Sequence, residues 1–213
     1  MTKIIDFFLG KISVKLDAHK LKPIVDIVFI FSEKIIVKLE KLLSFYLNFY
    51  ETMIENEIKL ANICKDNKIL HIGCGSIPAT SILLVKKTNA DAVAIDKDLK
   101  SVKQAKILLS KIKLSDKIRI IYADALDFPI KDFDLIIISQ GIKPHDVVLK
   151  NIAEKLNKNT RVIFRTSSTY DKKLASEDLF LKDIFVVENI ISQEKNGLMI
   201  SVLLSKKSQK KQI

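Results

Sequence analysis

Lys68-Ile69-Leu70-His71-Ile72-Gly73-Cys74-Gly75-Ser76-Ile77-Pro78-Ala79-Thr80-Ser81-Ile82-Leu83-Leu84 is the stretch that decides the fold. Lys68 to Ile72 is short and mostly apolar, which predicts a buried strand. Gly73 and Gly75 follow, and they supply backbone freedom and close approach where a side chain would collide with a ligand. From Ala79 the pattern turns helical, with Ile82, Leu83 and Val85 available for packing. A helix N-terminus beside a glycine turn offers unpaired N–H groups to a ligand. Asp96 comes about 20 residues later, at the end of a second apolar run, where a ribose-binding acid belongs.

Outward from this turn the chain alternates between strands and helices. Strands are predicted at Lys68–Ile72, Ala92–Ile95, Ile118–Tyr122, Leu135–Ser139 and Thr160–Arg165, with helices at Lys97–Lys111 and Val147–Leu156. Two more strands, Ile184–Asn189 and Leu198–Leu204, flank Asn196-Gly197, which predicts an antiparallel hairpin. Continuous apolar strands alternating with helices mean an α/β fold, a parallel sheet covered on both faces. Five parallel strands closed by an antiparallel pair resemble the Rossmann-like layout of class I S-adenosylmethionine-dependent transferases.

Such a sheet holds its ligand at the carboxyl ends of its strands. Asp96 is expected to accept the ribose hydroxyls, with Lys97 beside it, and Asp124 and Ala125 to face the adenine. Gly73, Cys74, Gly75, Pro78 and Thr80 would form the turn around the ligand. Ser139 would line the reaction centre with Gln140, and Arg165, Thr166 and Ser167 would face a second substrate. A dinucleotide fingerprint needs a third glycine three residues after Gly75, and Pro78 stands there. That disfavours a pyrophosphate ligand and favours S-adenosylmethionine as co-substrate.

Residues 1–65 read as a helical region, 66–205 as the Rossmann-like domain and 206–213 as a basic tail. After Pro23, apolar residues recur at helical spacing through Ile27, Phe31, Ile35, Leu39, Leu42, Phe45 and Phe49. So wide a stripe predicts packing onto the sheet domain or pairing with a second copy through the N-terminal helices. A further helix is expected around Ile54 to Leu60. With 36 Lys+Arg against 25 Asp+Glu the net charge is +11, which permits an anionic partner without demanding one. No basic patch interleaved with aromatics argues for nucleic acid. The most apolar window, Ile24 to Val37, carries Asp26, Glu33 and Lys34 and falls short of a membrane span. Cys64 and Cys74 lack metal-type spacing and predict a reducing, cytoplasmic setting with no metal site.

The turn Gly73-Cys74-Gly75-Ser76-Ile77-Pro78-Ala79-Thr80-Ser81-Ile82-Leu83-Leu84 resembles the nicotianamine synthase signature: a glycine turn, an aliphatic–proline pair, a threonine and an aliphatic helix. Two more segments are similar to that family. One is Phe45-Tyr46-Leu47-Asn48-Phe49-Tyr50 followed by Glu57; the other runs from Asn151 through Thr160-Arg161-Val162-Ile163-Phe164-Arg165-Thr166. The resemblance spans roughly residues 40–205. It implies transfer of the 3-amino-3-carboxypropyl group of S-adenosylmethionine to an amine or amino-acid acceptor, with release of methylthioadenosine. It further implies a tyrosine and a glutamate beside the reaction centre, matched here by Tyr50 and by Glu40, with Glu33 second.

Other classes remain open from the sequence. The same fold serves methyltransferases acting on small molecules or proteins, although no NPPY loop follows the fourth strand, where Ser139-Gln140-Gly141-Ile142 stands instead. A non-catalytic S-adenosylmethionine-binding or scaffold protein would use the apolar stripe of residues 24–49 for a partner.

Overall fold

The computed structural model describes residues 40–167, 179–193 and 199–207. Glu33, the apolar stripe before residue 40 and Asn196-Gly197 lie outside them, as do residues 208–213 of the tail. Helix α1 (Glu40–Ala61) precedes β1 (Lys68–Ile72), α2 (Ala79–Thr88), β2 (Asp91–Asp96), α3 (Leu99–Lys111) and β3 (Ile118–Tyr122). There follow β4 (Leu135–Ile138), α4 (His145–Lys155), β5 (Arg161–Ser167), α5 (Leu179–Ile184), β6 (Phe185–Ser192) and β7 (Met199–Lys206).

The seven strands form one sheet in the order β3-β2-β1-β4-β5-β7-β6. The first five are parallel; β7 runs antiparallel between β5 and β6. This is the expected α/β sheet with its terminal antiparallel pair. Because side chains alternate along a strand, two apolar layers result. Ile69, Ala92, Ala94, Leu135, Ile137 and Ile163 pack under α1, α2 and α3. Leu70, Ile72, Ile136, Ile138, Val162 and Phe164 pack under α4 and α5.

Each boundary has a local cause. Asp98 caps α3 by accepting from the backbone N–H groups of Lys100 and Ser101, the usual role of an N-terminal aspartate. Asn89 ends α2 in the left-handed conformation at φ 59°. Pro144 stands at the N-terminus of α4 and starts it at His145, two residues before the expected Val147. The short α5 was not expected from the sequence.

Helix α1 departs from expectation in two ways. The two expected helices are one, because no Gly or Pro interrupts residues 40–61. Its buried side also differs. Leu43, Tyr46, Leu47, Met53, Ile54 and Ala61 face inward, whereas Phe45 is 47% and Phe49 50% exposed. Apolar residues occur all round this helix, so two stripes at helical spacing compete, and packing against α2 and strands β5 to β7 selects one.

Candidate active site

Extending the strand registers by one residue sets Asp96, Gly73, Ser139 and Arg165 in one row across the carboxyl ends of β2, β1, β4 and β5. The row continues into Ser201, the partner of Arg165 on β7. At its centre, Gly73 and Gly75 adopt φ values of 79° and 64°, which L residues with a Cβ avoid. The Gly73 and Cys74 N–H groups both donate to Ile95 O, at 2.9 and 3.1 Å. This ties the turn to β2.

Asp96 is held from two sides. Its Oδ2 accepts the Gly75 N–H at 2.8 Å and its Oδ1 accepts the Asp98 N–H at 2.9 Å. The carboxylate is only partly buried, so its remaining lone pairs suit a pair of ribose hydroxyls. Asp124 is exposed, and its Oδ1 accepts the Leu126 N–H at 2.9 Å, shaping the turn after β3. Ala125 is buried beside it. Lys97 is exposed and reaches across to Lys143 O at 3.4 Å.

The close approach that Gly73 allows is taken by Ile142. A Cβ at position 73 would lie 2.3 Å from Ile142 Cδ1 and 3.4 Å from Ser139 Cβ. The β4–α4 loop therefore lies directly over the glycine turn. Gln140 belongs to this loop, and its carbonyl lies 3.2 Å from His145 Nε2.

Beneath the turn, on the α1–α2 side, is a buried polar cluster. Arg165 Nε donates to Glu57 Oε1 at 2.8 Å, and Nη2 donates to Oε2 at 2.6 Å. Its Nη1 donates to Thr80 Oγ1 at 2.7 Å. Ser201 Oγ donates to Glu57 Oε1 at 2.7 Å. Gln193 Nε2 donates to Ser201 Oγ, and Asn56 Nδ2 donates to Gln193 Oε1. Glu57 is fully buried and Arg165 only 3% exposed. A buried charge is tolerated when paired and hydrogen-bonded on every side, as here. In the same layer His71, 2% exposed, places Nδ1 3.0 Å from Ser81 Oγ and Nε2 2.9 Å from Ser139 Oγ. Burial, with Arg165 adding, pushes its imidazole down to about 3, so the ring is neutral.

The predicted residues thus divide. Gly73, Gly75, Asp96 and Ser139 stand together at the strand ends, with Cys74 buried in the turn and Pro78 buried where the turn meets α2. Arg165 and Thr166 were expected to face a second substrate together. Strand alternation sends them to opposite faces: Arg165 grips Glu57 and Thr80, while the buried Thr166 follows Phe164 toward α4. Thr80, expected at the cofactor, accepts from Arg165. Tyr50 lies on α1, its hydroxyl 3.2 Å from that of Tyr46. Glu40 opens α1, and its side chain is outside the described part of the protein. The α1 carboxylate tied to the glycine-turn end of α2, through Arg165 and Thr80, is Glu57. The sequence offered two signals for it: its place after the Phe45–Tyr50 segment in the family resemblance, and a charge on the inward stripe between Ile54 and Ala61.

An open groove of about 350 Å³ between α1 and β6, lined by Asn56, Lys59, Leu60, Asn189, Ile190 and Ile191, contains none of the strand-end residues. The site is therefore assigned by its carboxylate and glycine turn at the strand ends. These groups fit S-adenosylmethionine: a fixed two-oxygen acceptor for the ribose, a turn with glycine at positions 73 and 75, and Pro78 where a pyrophosphate cradle would need glycine. Among the described residues, no group of His, Cys, Asp or Glu is arranged to hold a metal ion. Nor is any helix among them long and apolar enough to cross a membrane.

Fold and strand-end turn together have the architecture of class I S-adenosylmethionine-dependent transferases. Residues 63–211 match the methyltransferase domain family, and the chain belongs to that family. A curated relative, L-histidine 2-aminobutanoyltransferase from Yersinia pestis, is 25% identical over 122 residues, 56% of this chain and 45% of the relative. The chain thus matches less than half of that relative's length. Among solved structures, a mutant of MtNAS, a nicotianamine synthase, in complex with S-adenosylmethionine superposes with a TM-score of 0.72 at 21% identity, covering 83% of this chain and 70% of its own. An RNA methyltransferase from Salinibacter ruber in complex with S-adenosyl-L-homocysteine gives 0.57 at 14% identity, covering 75% and 94%. At these identities the structural likenesses establish the fold.

Proposed function

We propose that the chain is a nicotianamine synthase-like transferase that moves the 3-amino-3-carboxypropyl group of S-adenosylmethionine to an amine and releases methylthioadenosine. One observation carries this. The three segments in which the sequence resembles that family each contribute one member of a single buried cluster: Glu57, Thr80 and Arg165. The relative named as an L-histidine 2-aminobutanoyltransferase supports the same type of group and an amino-acid acceptor.

The reaction is a displacement. The acceptor nitrogen bonds to the carbon beside the sulfonium. The carbon–sulfur bond breaks with its electron pair going to sulfur, and a proton leaves the nitrogen. The amine must be deprotonated and held in line with the leaving sulfur. In this proposal Asp96 holds the ribose, Asp124 and Ala125 the adenine, and the Gly73–Pro78 turn with Ser139 the methionyl part. Lys97 borders the site, and Gln140 of the β4–α4 loop faces the acceptor. Tyr50 acts on the acceptor amine with Glu40, or with Glu33 in its place. Arg165 works through Glu57, fixing α1 against the sheet.

The deciding experiment incubates the protein with S-adenosylmethionine and amino acids, L-histidine included, and identifies the nucleoside released. Methylthioadenosine is the expected product. S-adenosylhomocysteine would overturn the proposal in favour of methyl transfer, the reaction for which the family is named. Binding without turnover of any acceptor would favour a scaffold.

A further inference from the structure

His71 takes no part in the chemistry above, yet it is a polar residue on a central strand with both ring nitrogens engaged. The inward face of β1 could be filled by an aliphatic side chain at no desolvation cost, whereas a buried imidazole is stable only if both nitrogens are satisfied. The two groups that satisfy it are unlike in position. Ser81 is buried inside α2, at 0% exposure. Ser139 sits at the end of β4, its Cβ 3.4 Å from where a Gly73 side chain would begin, and it is part-buried at the edge of the site.

A neutral imidazole has one N–H and one lone pair. One serine must therefore donate to the ring and the other must accept from it. In either case the ring contact holds Ser139 Oγ in one side-chain position, with its remaining hydrogen-bonding capacity turned away from the imidazole. Fixing a donor or acceptor before the ligand arrives removes an ordering cost from binding.

We propose that His71 is a positioning residue, which with Ser81 behind it holds the Ser139 hydroxyl toward the amino and carboxylate groups of the methionyl end of S-adenosylmethionine. This rests on the proposed placement of the methionyl part beside Ser139 and the Gly73–Pro78 turn. It is independent of which group the enzyme transfers. The recognised chemistry is that of a zwitterionic amino-acid head, which S-adenosylmethionine and S-adenosylhomocysteine carry and methylthioadenosine lacks.

Titration calorimetry with these three ligands tests it. Ser139→Ala and His71→Phe should each weaken S-adenosylmethionine and S-adenosylhomocysteine about tenfold, the scale of one hydrogen bond to a charged group. Methylthioadenosine affinity should stay within about twofold, because it has no head group to lose. The double variant should lose no more than Ser139→Ala alone, since both changes remove one interaction. Equal weakening of all three ligands by His71→Phe, or no weakening of any, overturns the proposal. If His71→Phe does not fold, Ser81→Ala decides: selective loss for the two head-bearing ligands supports positioning, and unchanged affinity overturns it. Wild-type protein that binds none of the three overturns both this inference and the placement it rests on. Release of S-adenosylhomocysteine in the product assay would overturn only the proposed reaction.

Discussion

Arg165 and Glu57 stand 108 residues apart in the chain and meet as a bidentate, fully buried ion pair, at 2.8 and 2.6 Å. The pair joins the end of β5 to α1, and Thr80 and Ser201 complete it from α2 and β7. Removing one partner leaves the other charged and unsolvated. Glu57→Leu should therefore cost about 3–5 kcal/mol, and Glu57→Leu with Arg165→Met should recover most of that loss. Urea denaturation of the three proteins measures both values. A loss below about 1 kcal/mol in the single variant would show that the pair is dispensable to the fold.

The neutral state of His71 gives the protein a pH dependence of known sign. Its imidazole titrates near 3 in the folded protein and near 6.5 once exposed. Between those values the unfolded chain binds the extra proton, so the contribution is complete above about pH 6.5 and is lost as pH falls toward 3. One such proton gives a slope of about 1.4 kcal/mol per pH unit at most. Stability of His71→Gln should be flatter across that window, and parallel curves for both proteins would sink the assignment.

Asp96 supports the turn through Gly75 and is expected to hold the ribose. Asp96→Ala should weaken S-adenosylmethionine by about 10- to 100-fold, the range for charge-assisted hydrogen bonds. Unchanged affinity by calorimetry would remove Asp96 from the site.

Gly73→Ala combines a positive φ with a methyl 2.3 Å from Ile142 Cδ1. A loss of about 1–2 kcal/mol from backbone strain is expected, with the steric part added. Ile142→Ala in the same protein should return only the steric part. Thermal melts of the single and double variants separate the two.

Tyr50→Phe should slow turnover, by about 100-fold if the hydroxyl takes the acceptor's proton, while S-adenosylmethionine affinity holds. Full activity would release Tyr50 from the mechanism and leave its hydroxyl pairing with Tyr46 as packing.

The parts of the site legible in the sequence are those whose cause is local. Gly73, Gly75 and Asp96 are set by a turn and a strand end about 20 residues apart, and spacing alone marks them. The cluster of Glu57, Arg165 and Ser201 has no such signature, because its partners lie 108 and 144 residues from Glu57. Arg165 looked like a substrate ligand because a charged residue at a strand end usually serves the site; here alternation turned it beneath the sheet toward α1. The buried face of α1 is ambiguous in the sequence for a related reason. With Phe45 and Phe49 as apolar as Tyr46 and Leu47, periodicity offers two solutions, and the sheet below chooses. His71 has no local signature of a site residue, and only its two hydroxyl partners reveal a connection to the site.

The strand order has a consequence for synthesis. Strand β7 follows β6 in the chain but lies inside it, against β5. A ribosome that has released residues up to β6 exposes the bare edge of β5 and a Glu57 carboxylate still lacking the Ser201 hydroxyl. The nascent chain therefore keeps an open, sticky sheet edge until residues 199–206 emerge, and a message truncated before them should yield an aggregate rather than a smaller working domain.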